Sequence, residues 1–593
     1  MKKRLKKGWV VLISLLLSAC STSAVITDDN KNNEEGSTQT TTTLDVAWSE
    51  MDGLTTYDST TVVRITLNET SVDENSENVD LDNNVITITA AGDYLIQGNL
   101  ADGQLVVDAG DDANVHLIFD GVDLTNDDGA ALVVLNADNV VITLAHGSVN
   151  TLSDGSFYTL NGDEDPEATI YAKDDLTING EGSLTVNGNY NHGIHGTNEI
   201  NLVGGEIVVN ALADGIKGKD SVKIKETILS VNVAHDGIQS TNAEEEGKGF
   251  VYIESGEIHI VAGLDGIQAE TQVLVSGGEI SIQAGANAIE DESGKGIKAV
   301  LDVQIKDGNL VVSSLTDDAL HSNGTLTVDG GNLTLNAGDD AIHADRTLTL
   351  NGGEINIESS YEGLEAQDIN ITSGDVSILA EDDGINTSAD TTATTTAGPG
   401  GQGMMMDDGS TLNITGGNIQ IDADGDGVDS NGTITMSDGT LVVFGPSTNN
   451  EASIDYNGSF TLSGGTILAV GSSGMAQQAS SSSIHTVMIN TSTLSEGDLV
   501  AIVDADGELV VAFEVQKSAS NIVFASDSLT EGTYSLMSGG TLSSSLDDSV
   551  SIEGSYTGGS TLLEFTISSQ ISTVGTSQNG NTPGGGQPRP GRK

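Results

Sequence analysis

Along most of the chain, apolar and polar residues alternate in short runs broken by glycine, as in LTVDGGNLTLNA (326–337) and LTLNGGEINIES (348–359). Period-2 alternation with Gly at the corners predicts short, half-buried strands. The runs recur at a fixed interval. One block appears as HGIH at Gly193, DGIK at Gly215, DGIQ at Gly237 and Gly266, NAIE at Ala288, DALH at Ala319, DAIH at Ala341, EGLE at Gly363, DGIN at Gly384 and DGVD at Gly427. The steps are 22, 22, 29, 22, 31, 22, 22, 21 and 43 residues, and the long ones hold AEEEGKG (243–249), DESGKGIKA (291–299) and the low-complexity run 387–409. A second block, GGEI or GGN(L/I), begins at Gly204, Gly277, Gly330, Gly352 and Gly416. Three short strands and three turns per repeat match one coil of a parallel β-helix, with insertions placed between coils. The expected fold is all-β, a solenoid of about 22 residues per coil.

Stacked coils turn equivalent positions into ladders. The residue after the small one is aliphatic in every coil (Ile194, Ile216, Ile238, Ile267, Ile289, Leu320, Ile342, Leu364, Ile385, Val428) and is expected to form the core. The next is polar (His195, Lys217, Gln239, Gln268, Glu290, His321, His343, Glu365, Asn386, Asp429) and is expected to face solvent as a stripe along a linear polymer. Of these, Lys217, Gln239, Gln268, His321, His343 and Glu365 are the candidate substrate contacts. The residue before the small one is mostly acidic: Asp214, Asp236, Asp265, Asp318, Asp340, Glu362, Asp383 and Asp426. Carboxylates about 5 Å apart repel by roughly 1–4 kcal/mol per pair, so something must compensate. Two answers stay open: each Asp caps the amides of its own turn, or Ca²⁺ binds the column through its oxygens.

Other local patterns are weaker. Asp422 to Gly427 fits half an EF-hand loop but lacks the twelfth-position Glu and flanking helices. Asp504-Ala505-Asp506-Gly507-Glu508 reads as a hairpin turn. His321 and His343, one coil apart, are the one His pair that stacking brings together, a candidate for Zn²⁺. Met404, Met405 and Met406 sit in a Gly-rich loop and read as flexible chain.

Charge changes the list of partners. The chain has 593 residues with 88 Asp+Glu against 21 Lys+Arg, for a net charge of -67. Five of the cations lie in the first seven residues, and without them the charge is -72. Such a surface repels nucleic acid, so no nucleic-acid partner is expected. Residues 1–20 carry a basic start, an apolar run from Trp9 to Leu17 and Leu17-Ser18-Ala19-Cys20, an export signal resembling the bacterial lipobox with Cys20 as the lipidated residue. The chain is expected to be lipid-anchored at the outer face of a bacterial cell membrane or in the cell envelope, monomeric, and without disulfides because Cys20 is its sole Cys. The expected organisation is signal 1–20, disordered tether 21–43, N-terminal cap 44–84, β-helix 85–470, C-terminal β region 471–572 and disordered tail 573–593.

The stretches AGDYLIQGNLADGQLVVDA (91–109), NDDGAALVVLNADNVVITLAHGSVNTLSDG (126–155), the coils, and GGTILAVGSSGMAQQAS (464–480) resemble a family of bacterial carbohydrate-binding proteins, over roughly residues 85–540. The resemblance implies an exported, right-handed parallel β-helix related in shape to pectate lyases, associated with calcium and with cellulose and polygalacturonate. The function it implies is Ca²⁺-assisted binding of a polysaccharide, and the charge makes an anionic one the expected ligand.

An enzyme of the same shape remains an alternative. A lyase needs Ca²⁺ and a basic residue to take the proton beside a uronate carboxylate. Lys217 is the candidate, with Lys219 nearby and Lys298 expected on an inserted loop; otherwise no catalytic residue is assigned. A structural or adhesive surface protein is the third reading. Outside the signal the one Trp is Trp48, so an aromatic platform for flat cellulose is not expected, though Tyr190, Tyr252 and Tyr361 could supply isolated contacts.

Overall fold

The computed structural model describes residues 44, 46–69, 71–73, 77–159, 166–287, 293–389, 407–546 and 549–576, with backbone alone for 69 and 71–73. Cys20 and the expected signal and tether, the NAIE block at 288–290, Met404 to Met406 and residues 577–593 lie outside the described residues. Among the described residues the regular elements are all strands, and no helix is long and apolar enough to cross a membrane.

Most strands join one long, mainly parallel sheet. Each repeat adds a strand to each of three ladders. In the first, Ile194–Gly196 lies beside Ile216–Gly218, then 238–240, 267–269, 297–299, 320–322, 342–344, 364–366, 385–387 and 428–430, ending at 455–456. In the second, Thr325–Val328 pairs with Thr347–Leu350, which pairs with Asp368–Ile371. In the third, Leu333 and Leu335 stand beside Ile355 and Ile357, which stand beside Val376 and Ile378. Alternation explains the packing: the aliphatic positions of all three ladders point inward and form one continuous buried core. The polar positions between them face out.

One coil is registered differently from the sequence expectation. Between Ile267 and Leu320 the aliphatic column is filled by Ile297, with Lys298 between Gln268 and His321. KGIK at Gly296 is therefore the rung, and the insertion precedes it. Both segments satisfy the local pattern of a small residue followed by an aliphatic and a polar one. Pairing decides between them, because Ile297–Ala299 carries the ladder hydrogen bonds onward to Leu320–Ser322.

At several corners before a third-ladder strand stands a glycine pair whose second member has positive φ: 91° at Gly331, 94° at Gly353 and 88° at Gly417. A Cβ on Gly353 would also sit 2.9 Å from the Gly331 carbonyl oxygen. Gly353→Ala is expected to cost about 1–2 kcal/mol, from strain plus overpacking, read as a lower thermal midpoint. An unchanged midpoint would mean that the corner relaxes.

Val63–Glu69, parallel to Gly92–Leu100, and the antiparallel pair Val79–Asp82 and Val85–Ile88 begin the sheet at its N-terminal end. Residues 46–54 run along the outer surface of the coils: buried Asp52 accepts from Thr177 Oγ1 at 2.7 Å and Asn201 Nδ2 at 2.9 Å. Trp48 lies against Tyr252, donates to Glu254 and carries Lys223 and Lys225 over its ring at 5.5 and 5.1 Å. At the other end, Thr466–Gly471 pairs antiparallel with Ala519–Ser526. A five-stranded sheet follows, and its Val500, Ile502, Val511 and Phe513 share a core with Val442, Phe444, Leu468 and Val470. Asp504–Glu508 is the turn of the antiparallel hairpin of Leu499–Asp504 with Leu509–Glu514.

Candidate functional site

The first ladder carries the acidic column and the polar stripe side by side. The column does not cap its own turns. Five of the eight carboxylates reach the amide of the next coil in these bonds: Asp236 N–H donates to Asp214 Oδ1 at 3.3 Å, Asp265 to Asp236 at 3.0 Å, Lys295 to Asp265 at 2.8 Å, Asp340 to Asp318 at 3.1 Å and Asp426 to Asp383 at 2.6 Å. The acids thus form a spine that ties coil to coil, and the second oxygen of several turns toward the stripe. Lys217 Nζ lies 3.1 Å from Asp214 Oδ2, Gln239 Nε2 donates to Asp236 Oδ2 at 2.9 Å, His321 Nδ1 lies 2.7 Å from Asp318 Oδ2 and His343 Nδ1 3.0 Å from Asp340 Oδ2. A carboxylate three residues before its stripe partner sets this geometry, since the turn places both side chains on one edge of the rung.

The stripe is therefore half-buried rather than fully solvent-facing, and His321 is only 7% exposed. Three of its buried atoms, His195 Nδ1, Gln239 Oε1 and Asn386 Oδ1, have no hydrogen-bond partner. Buried polar atoms are normally paired, so these three are the stripe's unsatisfied positions within the protein.

Charge divides the column in two. Toward the N-terminus the protein supplies its own cations. Burial opposes ionisation of Asp214, but the hydrogen bond from His192 and the charge of Lys217 outweigh it and bring its pKa down to about 2. Burial is likewise outweighed at Asp318 by His321 and Lys295, which hold it below the usual carboxylate range. Lys298 lies 3.6 Å from Asp265 Oδ2. Asp236 is the exception: with neutral Gln239 as partner, burial and the charges of Asp265 and Asp214 push it up to about 7.

Toward the C-terminus the cations stop. Among the described residues no Lys, Arg or His forms an ion pair with Glu362, Asp383, Asp426, Asp429 or Asp455. Burial, then repulsion from acidic neighbours, raises Glu362 and Asp426 to about 9, and Asp383 and Asp429 to about 7. One carboxylate oxygen from each of Asp426, Asp429 and Asp455 lies within 4.8 Å of the others. The EF-hand-like residues are engaged differently: Lys517 Nζ lies 2.5 Å from Asp422 Oδ1 and 2.8 Å from Asp424 Oδ1.

Sequence reasoning did not place Lys295, Lys298 or Asp455 in the column and stripe. The signal for each was present: KGIK at Gly296 and ASID at Ser453 both continue the block, the second at a step of 26 residues from Gly427. Beyond the other end of the stripe, a concavity of about 360 Å³ is lined by Asp102, Gln104, Asn126, Asp128 and Tyr158, among others. The Tyr158 ring stacks on Tyr190 at 4.3 Å. Trp48 is partly exposed, with Lys223 and Lys225 over its ring.

Comparison with known proteins agrees with a glycan-related scaffold. A carbohydrate-binding domain-containing protein of Acetivibrio thermocellus is 35% identical over 206 residues, covering 34% of this chain and 72% of its own. The solved polysaccharide lyase-like protein from C. thermocellum, a gadolinium derivative, shares 35% identity, covers 41% of this chain and 96% of its own, and superposes with a TM-score of 0.39. The family described as carbohydrate-binding domain-containing protein matches residues 82–341 and 339–561. Since those two matches take in most of the chain, it belongs to the carbohydrate-binding domain family.

Proposed function

We propose that this chain binds extracellular anionic polysaccharide along the first-ladder stripe, with Ca²⁺ held at its C-terminal end. The coils close as a right-handed parallel β-helix, and lipidated Cys20 anchors the protein to a bacterial envelope. The observation that carries the reading is the uncompensated carboxylate set Asp426, Asp429 and Asp455, continuous through the stripe with the unpartnered oxygen of Asn386. These are hard oxygen donors and suit Ca²⁺. When bound, the ion would supply the positive charge that lets a uronate approach a chain of net charge -72.

The chain's own residues do the rest. Gln239 and Gln268, bonded to each other at 2.8 Å, present amides at ladder spacing to sugar hydroxyls. Lys217 and Lys298 add positive charge in the middle of the stripe. Polygalacturonate fits better than cellulose, because two lysines lie over the Trp48 ring and the contacts of the stripe are polar. The lyase alternative would require a basic group free to take a proton, whereas Lys217 is held by Asp214 and Lys298 lies beside Asp265, which favours binding without turnover.

Retention of the protein on polygalacturonate in calcium, with no growth of ultraviolet absorbance from unsaturated ends, is the expected outcome. Asp429→Asn with Asp455→Asn should lower retention at least about tenfold, in keeping with loss of ligands from an ion site. Growing absorbance abolished by Lys217→Ala would replace this reading with a lyase. Equal retention with chelator and with calcium would remove the ion from it.

A further inference from the structure

Three residues of the first ladder offer a different ligand chemistry from the all-oxygen end. His321 and His343 occupy successive rungs, with ring centroids 4.9 Å apart. One ligand atom from each of Asp318, His321 and His343 lies within 4.8 Å of the others, and the same holds for Asp340, His343 and Glu365. We propose that Asp318, His321 and His343 form a site for a late first-row divalent cation of the Zn²⁺ type, with Asp340 and Glu365 as adjoining carboxylates.

Donor type is the first argument. Two imidazoles and one carboxylate are a borderline set that favours Zn²⁺, Co²⁺, Ni²⁺ or Cu²⁺ over Ca²⁺ and Mg²⁺, and three protein ligands leave a coordination position open. Spacing is the second. Donors bonded at about 2.0–2.2 Å in a tetrahedral site lie roughly 3.3–3.6 Å from one another. The imidazole-to-carboxylate separations are 2.7 Å at Asp318 and 3.0 Å at Asp340, so side-chain adjustments of roughly 0.3–0.9 Å open the site. The parallel ladder holds the rungs in register meanwhile.

The third argument is hydrogen-bond arithmetic. Asp340 Oδ2 and Glu365 Oε2 lie 3.0 and 2.9 Å from the same nitrogen, His343 Nδ1. That nitrogen carries at most one hydrogen, so two acceptors share one donor unless a carboxyl is itself protonated. A divalent ion supplies the missing positive charge as the imidazole gives up its proton. Lys295, 2.8 Å from Asp318 Oδ2, also pairs with Asp317 and can stay on that carboxylate when an ion takes Asp318. Asp345 lies 3.3 Å from His343 Nε2 and adds further negative charge. Entry is from His343 and Glu365, whose side chains are 22% and 26% exposed. The site lies on the stripe proposed for the glycan, but its test reads metal binding alone, and it is separate from the oxygen cluster three and four rungs beyond His343.

The test is a Co²⁺ titration of the full, untagged chain after chelator treatment, followed by visible ligand-field absorbance. A saturable band is expected at one Co²⁺ per chain, erased by an equivalent of Zn²⁺, untouched by excess Ca²⁺, and weaker as the pH falls because protons compete for the imidazoles. His343→Gln and His321→Gln should each weaken the affinity at least about 100-fold and Glu365→Gln about tenfold, as expected for ligands and their supporting groups. Asp429→Asn and His195→Gln should leave it unchanged. Thermal melting of each variant checks folding, and half-exposed His343 carries the test if His321→Gln melts early. Absence of a saturable band, or a band that persists in the double His variant, would overturn the proposal.

Discussion

Asp318→Ala is expected to destabilise the solenoid by about 3–5 kcal/mol, the range for removing one partner of a buried charge pair. The carboxylate accepts from Asp340 N–H at 3.1 Å, lies 2.8 Å from Lys295 Nζ and 2.7 Å from His321 Nδ1, and is only 3% exposed. Its loss leaves three buried donors without this acceptor at once. Asp318→Asn should cost less, because an amide oxygen can still accept the Asp340 N–H. The pH dependence has a definite sign. The folded pKa of Asp318 lies below its ordinary 3.8, so its contribution is present above about pH 4 and is lost as the pH falls through the folded value. The gap between wild type and Asp318→Ala in denaturant titrations should therefore shrink in strong acid. A gap under about 1 kcal/mol at neutral pH would show that the spine is not what ties these coils together.

The acidic end should behave in the opposite sense. Asp383 and Asp429 rise from 3.8 to about 7, and Asp426 to about 9. A carboxyl with a raised folded pKa keeps its proton while the unfolded chain loses it, so stability falls as the pH climbs from about 4 toward the folded values and then levels off. A tenfold weaker acid in the folded chain corresponds to about 1.4 kcal/mol, and the interacting carboxyls together should cost several kcal/mol by pH 8. In chelator the thermal midpoint is thus expected to fall between pH 5 and pH 8. Calcium should restore it at pH 8, where Asp429 is ionised and the ion can displace the proton of Asp426, and do little at pH 5. Asp429→Asn should raise the midpoint in chelator at pH 8 and shrink the calcium increment. A midpoint flat from pH 5 to 8, or a calcium increment that Asp429→Asn leaves intact, would refute the account.

Much of the scaffold was legible because a solenoid repeats its constraints. Every coil needs an aliphatic residue at the same inward position and a small one before it, so Ile194, Ile216 and Ile238 announce the ladder by spacing alone. The acidic column is visible for the same reason. Less legible was the coil after Gly266, where NAIE and KGIK both satisfy the local rule. That choice moved Lys295 into the acidic column and Lys298 into the stripe, and so decided which acids have a cation nearby. His321 has the same sequence context as the partly exposed His343, yet it is buried, a difference set by its neighbours on adjoining rungs.

By itself, then, the sequence determined an all-β repeat, an aliphatic core column, and an acid placed once per coil beside a polar residue. Tertiary structure decided what each acid meets from the other coils. Whether a carboxylate is neutralised depends partly on the residue three positions on, as with Lys217 and His321, and partly on the amide, lysine or imidazole that another coil, more than 20 residues away, brings to it. Asp214 and Asp426 differ in the chain at the third residue on, Lys217 against Asp429. Stacking adds His192 to the first and a further carboxylate, Asp455, to the second.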